Sequence, residues 1–141
     1  MSKLASVLLV DDDSTTNYLN KLLLNRLEVA EQLLVAENGA EALATLAQVC
    51  TPTGGTCPAL ILLDVNMPVM NGLEFLAAYQ QLPLAQRQAT VVVLLTTSAN
   101  PRDLARVGEL PIAGTLTKPL TEVKLRGVLH QHFPTQFPTH S

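Results

Sequence analysis

The chain has 141 residues and a formal net charge of −3; 48% of its residues are hydrophobic, 15% charged and 4% aromatic. That length suits one domain whose core needs no metal or disulfide staple, and the apolar fraction argues against general disorder. The mild acidity lends no support to a nucleic-acid or membrane-surface partner, and no apolar run approaches the roughly 20 residues of a membrane span.

In chain order, the segment from Met1 to Val10 carries one lysine and runs directly into three aspartates, unlike a signal peptide or an anchor, so a cytoplasmic location is expected. Val7–Val10 is a short continuous apolar run, followed by helical spacing over Thr15–Leu27 with Leu19, Leu22, Leu23 and Leu27 on one face, expected to pack inward. Leu33–Ala36 is a second run, and Ala40–Val49 a second helical segment that opens at Asn38-Gly39. A Pro/Gly/Thr-rich loop leads to a third run, Ala59–Leu63, and Asn71-Gly72 opens a helix predicted over Leu73–Leu82. Val91–Leu95 is the most strand-like run, Pro101–Val107 a short helix candidate, Ile112–Leu116 a weaker fifth strand and Glu122–Phe133 the last helix. Continuous rather than alternating apolar runs indicate strands buried on both faces. Five such strands interleaved with five helices predict a single doubly wound α/β domain over 1–133 with a parallel five-stranded sheet. Residues 134–141 hold two prolines without periodicity and read as a flexible tail.

Cys50 and Cys57 flank the loop before the third strand. Their spacing fits no zinc site, and in a cytoplasmic protein two free thiols are the expected state, with a disulfide across the loop the lesser alternative. The three histidines, His130, His132 and His140, lie near the C-terminus and read as a solvated helix end.

Ligands of a doubly wound sheet bind outside the carboxyl ends of the strands. The residues ending the runs are Asp11-Asp12-Asp13, Asp64, Thr96-Thr97-Ser98 and Lys118-Pro119. Gathered carboxylates repel one another and demand a cation, and oxygen ligands without His or Cys favour Mg²⁺ or Mn²⁺. An acidic nucleophile, a divalent ion, a lysine and a threonine together suit a phosphoryl group, with the carboxylate able to form an aspartyl-phosphate. Asp13 fits better as the cap of the first helix than as a ligand.

Four motifs then resemble one family in order: Val7-Leu-Leu-Val-Asp-Asp-Asp13, Leu62-Leu-Asp-Val-Asn-Met-Pro-Val-Met-Asn-Gly72, Leu94-Leu-Thr-Thr-Ser98 and Leu116-Thr-Lys-Pro119. They are similar to the receiver domain of two-component response regulators, a flavodoxin-like fold, over roughly Leu4–Phe133. The resemblance implies that Asp64 accepts a phosphoryl group from a histidine kinase or phosphotransfer protein. It implies metal contacts from Asp12 directly, Asp11 through water, Asp64, and the backbone carbonyl of Asn66. It assigns Thr96 to the phosphoryl oxygen and to movement on activation, and Lys118 to an ion pair with the phosphoryl group. Ser98 would influence hydrolysis, Pro119 often follows a cis peptide, and the exposed side of the first helix, carrying Asn17, Asn20 and Lys21, would face a kinase. The output would be an unknown downstream protein or a phosphorelay, since the chain leaves too few residues for a DNA-binding effector.

One departure stands out. The family usually has Tyr or Phe three residues before the lysine, and here that position is Thr115. An aspartyl-phosphate phosphatase is disfavoured because its general acid would be an Asp two residues after Asp64, where this chain has Asn66. An unphosphorylated interaction module would be expected to have lost an Asp or the Lys, and none is lost.

Overall fold

The structure, a computed structural model, describes residues 3–50, 56–65, 67, 69–88, 90–96 and 112–137. Its strands are β1 (Leu4–Val10), β2 (Ala30–Ala36), β3 (Leu60–Asp64), β4 (Val91–Thr96) and β5 (Gly114–Thr117). They form one parallel sheet in the order β2-β1-β3-β4-β5. Among the described residues the helices are α1 (Ser14–Arg26), α2 (Gly39–Val49), α3 (Gly72–Tyr79), α4 (Leu84–Gln88) and α5 (Glu122–His132). The helix expected over Pro101–Val107 lies outside the described residues.

The apolar runs are continuous because each central strand feeds two cores. Val7 and Leu9 of β1, Leu60 and Leu62 of β3, and Val93 and Leu95 of β4 pack with Leu24 of α1 and Leu125, Val128 and Leu129 of α5. The alternate residues, Leu8 and Val10, Ile61 and Leu63, Val92 and Leu94, pack with Ala42 and Leu46 of α2 and Phe75, Leu76 and Tyr79 of α3. Strand periodicity of two sends successive side chains to opposite layers, so a strand covered on both sides must be apolar throughout.

Helix starts follow cap chemistry. Asp13 accepts from the Thr15 amide, Asn38 from the Glu41 amide and Thr121 from the Lys124 amide, while Asn71 and Glu74 form a reciprocal capping box. The Asp13 cap holds its carboxyl below the usual range, first through the Thr16 hydroxyl and then through the Thr15 amide, with a smaller opposing effect of desolvation. At its other end α1 closes on Glu28, which has φ 53°, with the Val29 amide reaching back to the Leu24 carbonyl. Glycine is the residue that suits this left-handed position. Glu28→Gly is expected to raise stability by roughly 0.5–1 kcal/mol, read as a higher denaturant midpoint at unchanged slope.

Three expectations are corrected. First, the inward face of α1 is rotated from the one expected: Asn17, Asn20 and Leu24 are buried and Leu23 and Leu27 pack against the core as expected, while Leu19 and Leu22 are 56% and 49% exposed and Tyr18 is exposed beside them. The reason is polar. The Asn17 side-chain amide donates to the backbone carbonyl of Asp11 at 2.8 Å, supplying a buried acceptor with its partner. Second, the helix expected over Leu73–Leu82 stops at Tyr79, and a separate short turn of helix follows Pro83, whose carbonyl accepts from the Gln86 and Arg87 amides. Proline supplies no amide to continue a helix through that point.

The third correction concerns the cysteines. Cys50 and Cys57 are joined in a disulfide, with Cα atoms 4.3 Å apart. Cys50 caps the C-terminus of α2 in an extended conformation and Cys57 is buried three residues before β3, so the return from helix to strand brings the two together.

Beyond α5, residues 134–137 continue as a turn. Phe137 packs against the α1–α5 core, its amide donates to the Phe133 carbonyl, and its carbonyl lies 2.7 Å from His130 Nδ1. A carbonyl only accepts, so His130 donates from Nδ1.

Candidate functional site

Each central strand delivers its last residue to one edge of the sheet. Asp11 directly follows β1, Asp64 ends β3, Thr96 ends β4 and Lys118 follows β5. Parallel register aligns these ends, with Val10 opposite Leu63, Asp64 opposite Leu95 and Thr96 opposite Thr117.

The centre of the edge is a lysine between two carboxylates. Lys118 Nζ lies 2.7 Å from Asp11 Oδ2 and 3.1 Å from Asp64 Oδ1, with side-chain exposures of 17%, 4% and 7% respectively. Desolvation, the largest single influence on Lys118, pulls its affinity for a proton down, but the hydrogen bonds and charges of Asp11 and Asp64 together outweigh it and raise the ammonium above the ordinary lysine range. Low exposure makes these contacts stronger than a surface pair would be.

Asp12 completes the acidic group. Carboxylate oxygens of Asp11, Asp12 and Asp64 lie within 4.8 Å of one another, with Asp12 exposed and the other two buried. Three carboxylates against one lysine leave a local excess of negative charge, and an all-oxygen donor set of this kind fits a hard divalent cation. Asp11 is held from several sides. Its Oδ1 accepts from the Asp13 amide at 2.9 Å, its own amide donates to the Ala36 carbonyl and its carbonyl receives Asn17. Asn17 therefore holds the turn that presents the aspartates. Sequence reasoning placed it on the outer face, although its spacing with Asn20 and Leu24 was the available signal.

The segment after Asp64 is held by its glycine. The Gly72 amide donates to the Val65 carbonyl, and a Cβ on Gly72 would stand 2.6 Å from the Asp64 carbonyl oxygen and 3.0 Å from the Val65 Cα. Backbone cannot yield as a flexible side chain does. Gly72→Ala is expected to cost about 2–3 kcal/mol through overpacking and to shift Asp64, seen as a lowered thermal midpoint together with weaker binding of a divalent ion.

Thr96 sits at the end of β4, where its carbonyl accepts from the Lys118 amide at 2.7 Å, and the Lys118–Pro119 peptide is cis. The structure thus brings together Asp11, Asp12, Asp64, Thr96 and Lys118, while Asp13 caps α1. Asn66, Thr97 and Ser98 lie outside the described residues. Thr115 pairs with Leu94 inside the sheet, so the position usually aromatic in the resembled family holds a small, half-buried side chain.

A family model described as the response regulator receiver domain matches residues 7–130. The response regulator Rcp1 of Synechocystis is 36% identical over 112 residues, covering 79% of this chain and 75% of its own length. The two-component response regulator 24 of Arabidopsis thaliana is 33% identical, covering 92% of this chain and 84% of its own. The crystal structure of a two-component response regulator from Cytophaga hutchinsonii superposes with a TM-score of 0.82 at 30% identity, covering 92% of this chain and 97% of that one. Fold, strand-end chemistry and sequence thus agree, and the chain belongs to the response regulator receiver domain family.

Proposed function

We propose that Asp64 accepts a phosphoryl group from a histidine kinase or phosphotransfer protein, in a Mg²⁺-dependent reaction, and that the phosphorylated domain signals through another protein. The observation that carries this reading is the Lys118 ammonium lodged between Asp11 and Asp64 at the edge where Asp12 adds a third carboxylate. An Asp64 carboxylate oxygen would attack phosphorus as the phosphorus–nitrogen bond of the donor histidine breaks, leaving an acyl phosphate on this chain. Lys118 already touches the attacking carboxylate, so its charge stands where the phosphoryl oxygens would arrive. Thr96, ending the next strand, is suited to donate its hydroxyl to one of them. Mg²⁺, held by Asp12, Asp64 and the Asn66 carbonyl and reached by Asp11 through water, would supply charge neutralisation for the phosphoryl oxygens. The water-mediated role suits Asp11 because both of its oxygens are engaged, one by the Asp13 amide and the other by Lys118.

The domain in this reading is a phosphoacceptor rather than a turnover enzyme. The face of α1 exposing Tyr18, Leu19 and Leu22 borders a groove of about 290 Å³ between Leu19, Asn20, Lys118 and Leu120. That groove and the apolar residues beside it, rather than a surface bearing the buried Asn17, are the better candidate for docking the phosphodonor beside the lysine. A cytoplasmic location belongs to the same reading, since a histidine kinase or phosphotransfer donor acts there. Among the described residues no helix is long and apolar enough to cross a membrane.

The test combines acetyl phosphate, Mg²⁺ and intact mass. A phosphoryl adduct is expected on the wild type and requires the metal. Asp12→Ala should weaken Mg²⁺ binding at least about tenfold by titration and shrink the ion's stabilising effect on thermal unfolding. An unchanged Mg²⁺ titration in that variant would remove Asp12 from the site.

A further inference from the structure

We propose that Cys50 and Cys57 form a reversible thiol–disulfide modification site whose state is transmitted along α2 to the loop that follows Asp64. The disulfide sits at one corner of a closed frame. Cys50 ends α2, its amide donating to the Leu46 carbonyl, and the Thr56 hydroxyl donates to the Val49 carbonyl beside it. Cys57 belongs to the sheet side: the neighbouring Pro58 carbonyl accepts from the Thr90 hydroxyl at 2.8 Å, and the Ala59 amide donates to the Ser6 carbonyl. From that corner β3 runs to Asp64 and α2 runs back roughly 16 Å to Gly39.

The opposite corner is closed without a covalent bond. The Gly39 amide donates to the Met70 carbonyl at 2.9 Å, and a Cβ on Gly39 would stand 2.7 Å from Met70 Cγ, so the start of α2 is seated directly on the loop between Asp64 and α3. Between the corners α2 packs through Ala42, Leu43 and Leu46 on the core it shares with α3. A rigid helix tied at one end to the disulfide and at the other to Met70 carries a displacement of one end to the other. Opening the disulfide releases one end and loosens the seat of the other.

Reversibility rests on the cytoplasmic phosphoacceptor reading, because disulfides in that compartment are mostly transient or redox-sensing. A thiolate of a dithiol reductant would attack the Cys50 sulfur, since Cys50 is the less buried partner, and Cys57 would leave as a thiolate and take up a proton. The reductant's second thiol then resolves the mixed disulfide. Two electrons and two protons pass to the protein, and the reductant leaves as its own disulfide. A disulfide of the glutathione class reverses the exchange.

The experiment poises the full chain in dithiothreitol or in glutathione disulfide and scores its thiols by alkylation and intact mass. On each form it measures initial acetyl phosphate labelling and the hydrogen exchange of the Gly39 amide, with the Asp11 amide as an internal control. Reduction should slow labelling about 3- to 10-fold. It should speed exchange at Gly39 more than at Asp11 and lower the thermal midpoint by roughly 5–10 °C. The Cys50→Ser/Cys57→Ser double variant should behave as the reduced form in either buffer; should it fail to fold, the two forms of the wild type carry the test. Thiols that stay free in glutathione disulfide overturn the proposal. So do equal labelling and equal Gly39 exchange in the two forms. If neither form is labelled, the phosphoacceptor reading fails, and the Gly39 exchange ratio still decides whether α2 transmits the thiol state.

Discussion

Asp64→Asn is expected to abolish labelling by small phosphodonors and by a phosphorylated histidine protein, to below about one-thousandth of the wild-type rate, because the amide is no nucleophile. The substitution keeps the shape of the side chain. It also leaves Lys118 with its shorter contact, 2.7 Å to Asp11, so the fold should persist and the loss should be one of chemistry. Far-ultraviolet circular dichroism and the thermal midpoint check the first point, and intact mass after incubation with acetyl phosphate and Mg²⁺ checks the second. A phosphoryl adduct on the variant would place the acceptor elsewhere and sink the assignment.

Lys118→Ala is expected to have the largest effect on stability. Removing one partner of a buried ion pair costs about 3–5 kcal/mol, and here two buried carboxylates would be left without the ammonium. In a chelator the variant should unfold at a much lower denaturant midpoint. Mg²⁺ should recover more stability in the variant than in the wild type, since it answers the same excess of negative charge. The pH dependence follows from the raised affinity of Lys118 for its proton. The ion-pair contribution is fully present below the ordinary lysine value of 10.5 and is lost as the pH rises through the higher value of the folded state. The stability gap between wild type and variant should therefore hold steady up to about pH 10 and narrow above it. Labelling should survive in part, while coupling to a partner is lost. A variant that signals like the wild type would contradict the role of the lysine.

Much of the architecture was legible because the relevant forces are local. Runs such as Leu60–Leu63 announce burial on both faces, and the caps at Asp13, Asn38 and Asn71 mark helix starts through bonds that span only two or three residues. The acidic cluster was legible too, since parallel strands must deliver Asp11, Asp64 and Lys118 to one edge. The orientation of α1 was not. Its leucines at 19 and 22 form a stripe as convincing as the true inward face. What selects between them is the unpartnered carbonyl of Asp11, which Asn17 meets only once helix and strand are packed. The disulfide was misjudged for a different reason. The compartment argument concerns typical proteins, whereas the closeness of Cys50 and Cys57 is set by how α2 returns to β3. The seat of Gly72 against Asp64 lay hidden as well, because Asn71-Gly72 reads as a helix start whether or not another backbone passes within contact.

The bond between Lys118 and Asp11 joins positions 107 residues apart. A ribosome makes the chain from the N-terminus, so both aspartates that flank the lysine emerge long before it does. Until residue 118 follows, any nascent sheet of β1 and β3 brings like charges together with no resident counter-charge. Assembly of this edge is therefore disfavoured during synthesis and becomes favourable only when β5 arrives, unless cellular Mg²⁺ takes the lysine's place. If Asp64 is the phosphoacceptor proposed above, its full competence waits for β5, and a chain still short of residue 118 would compete only weakly with finished copies for the donor.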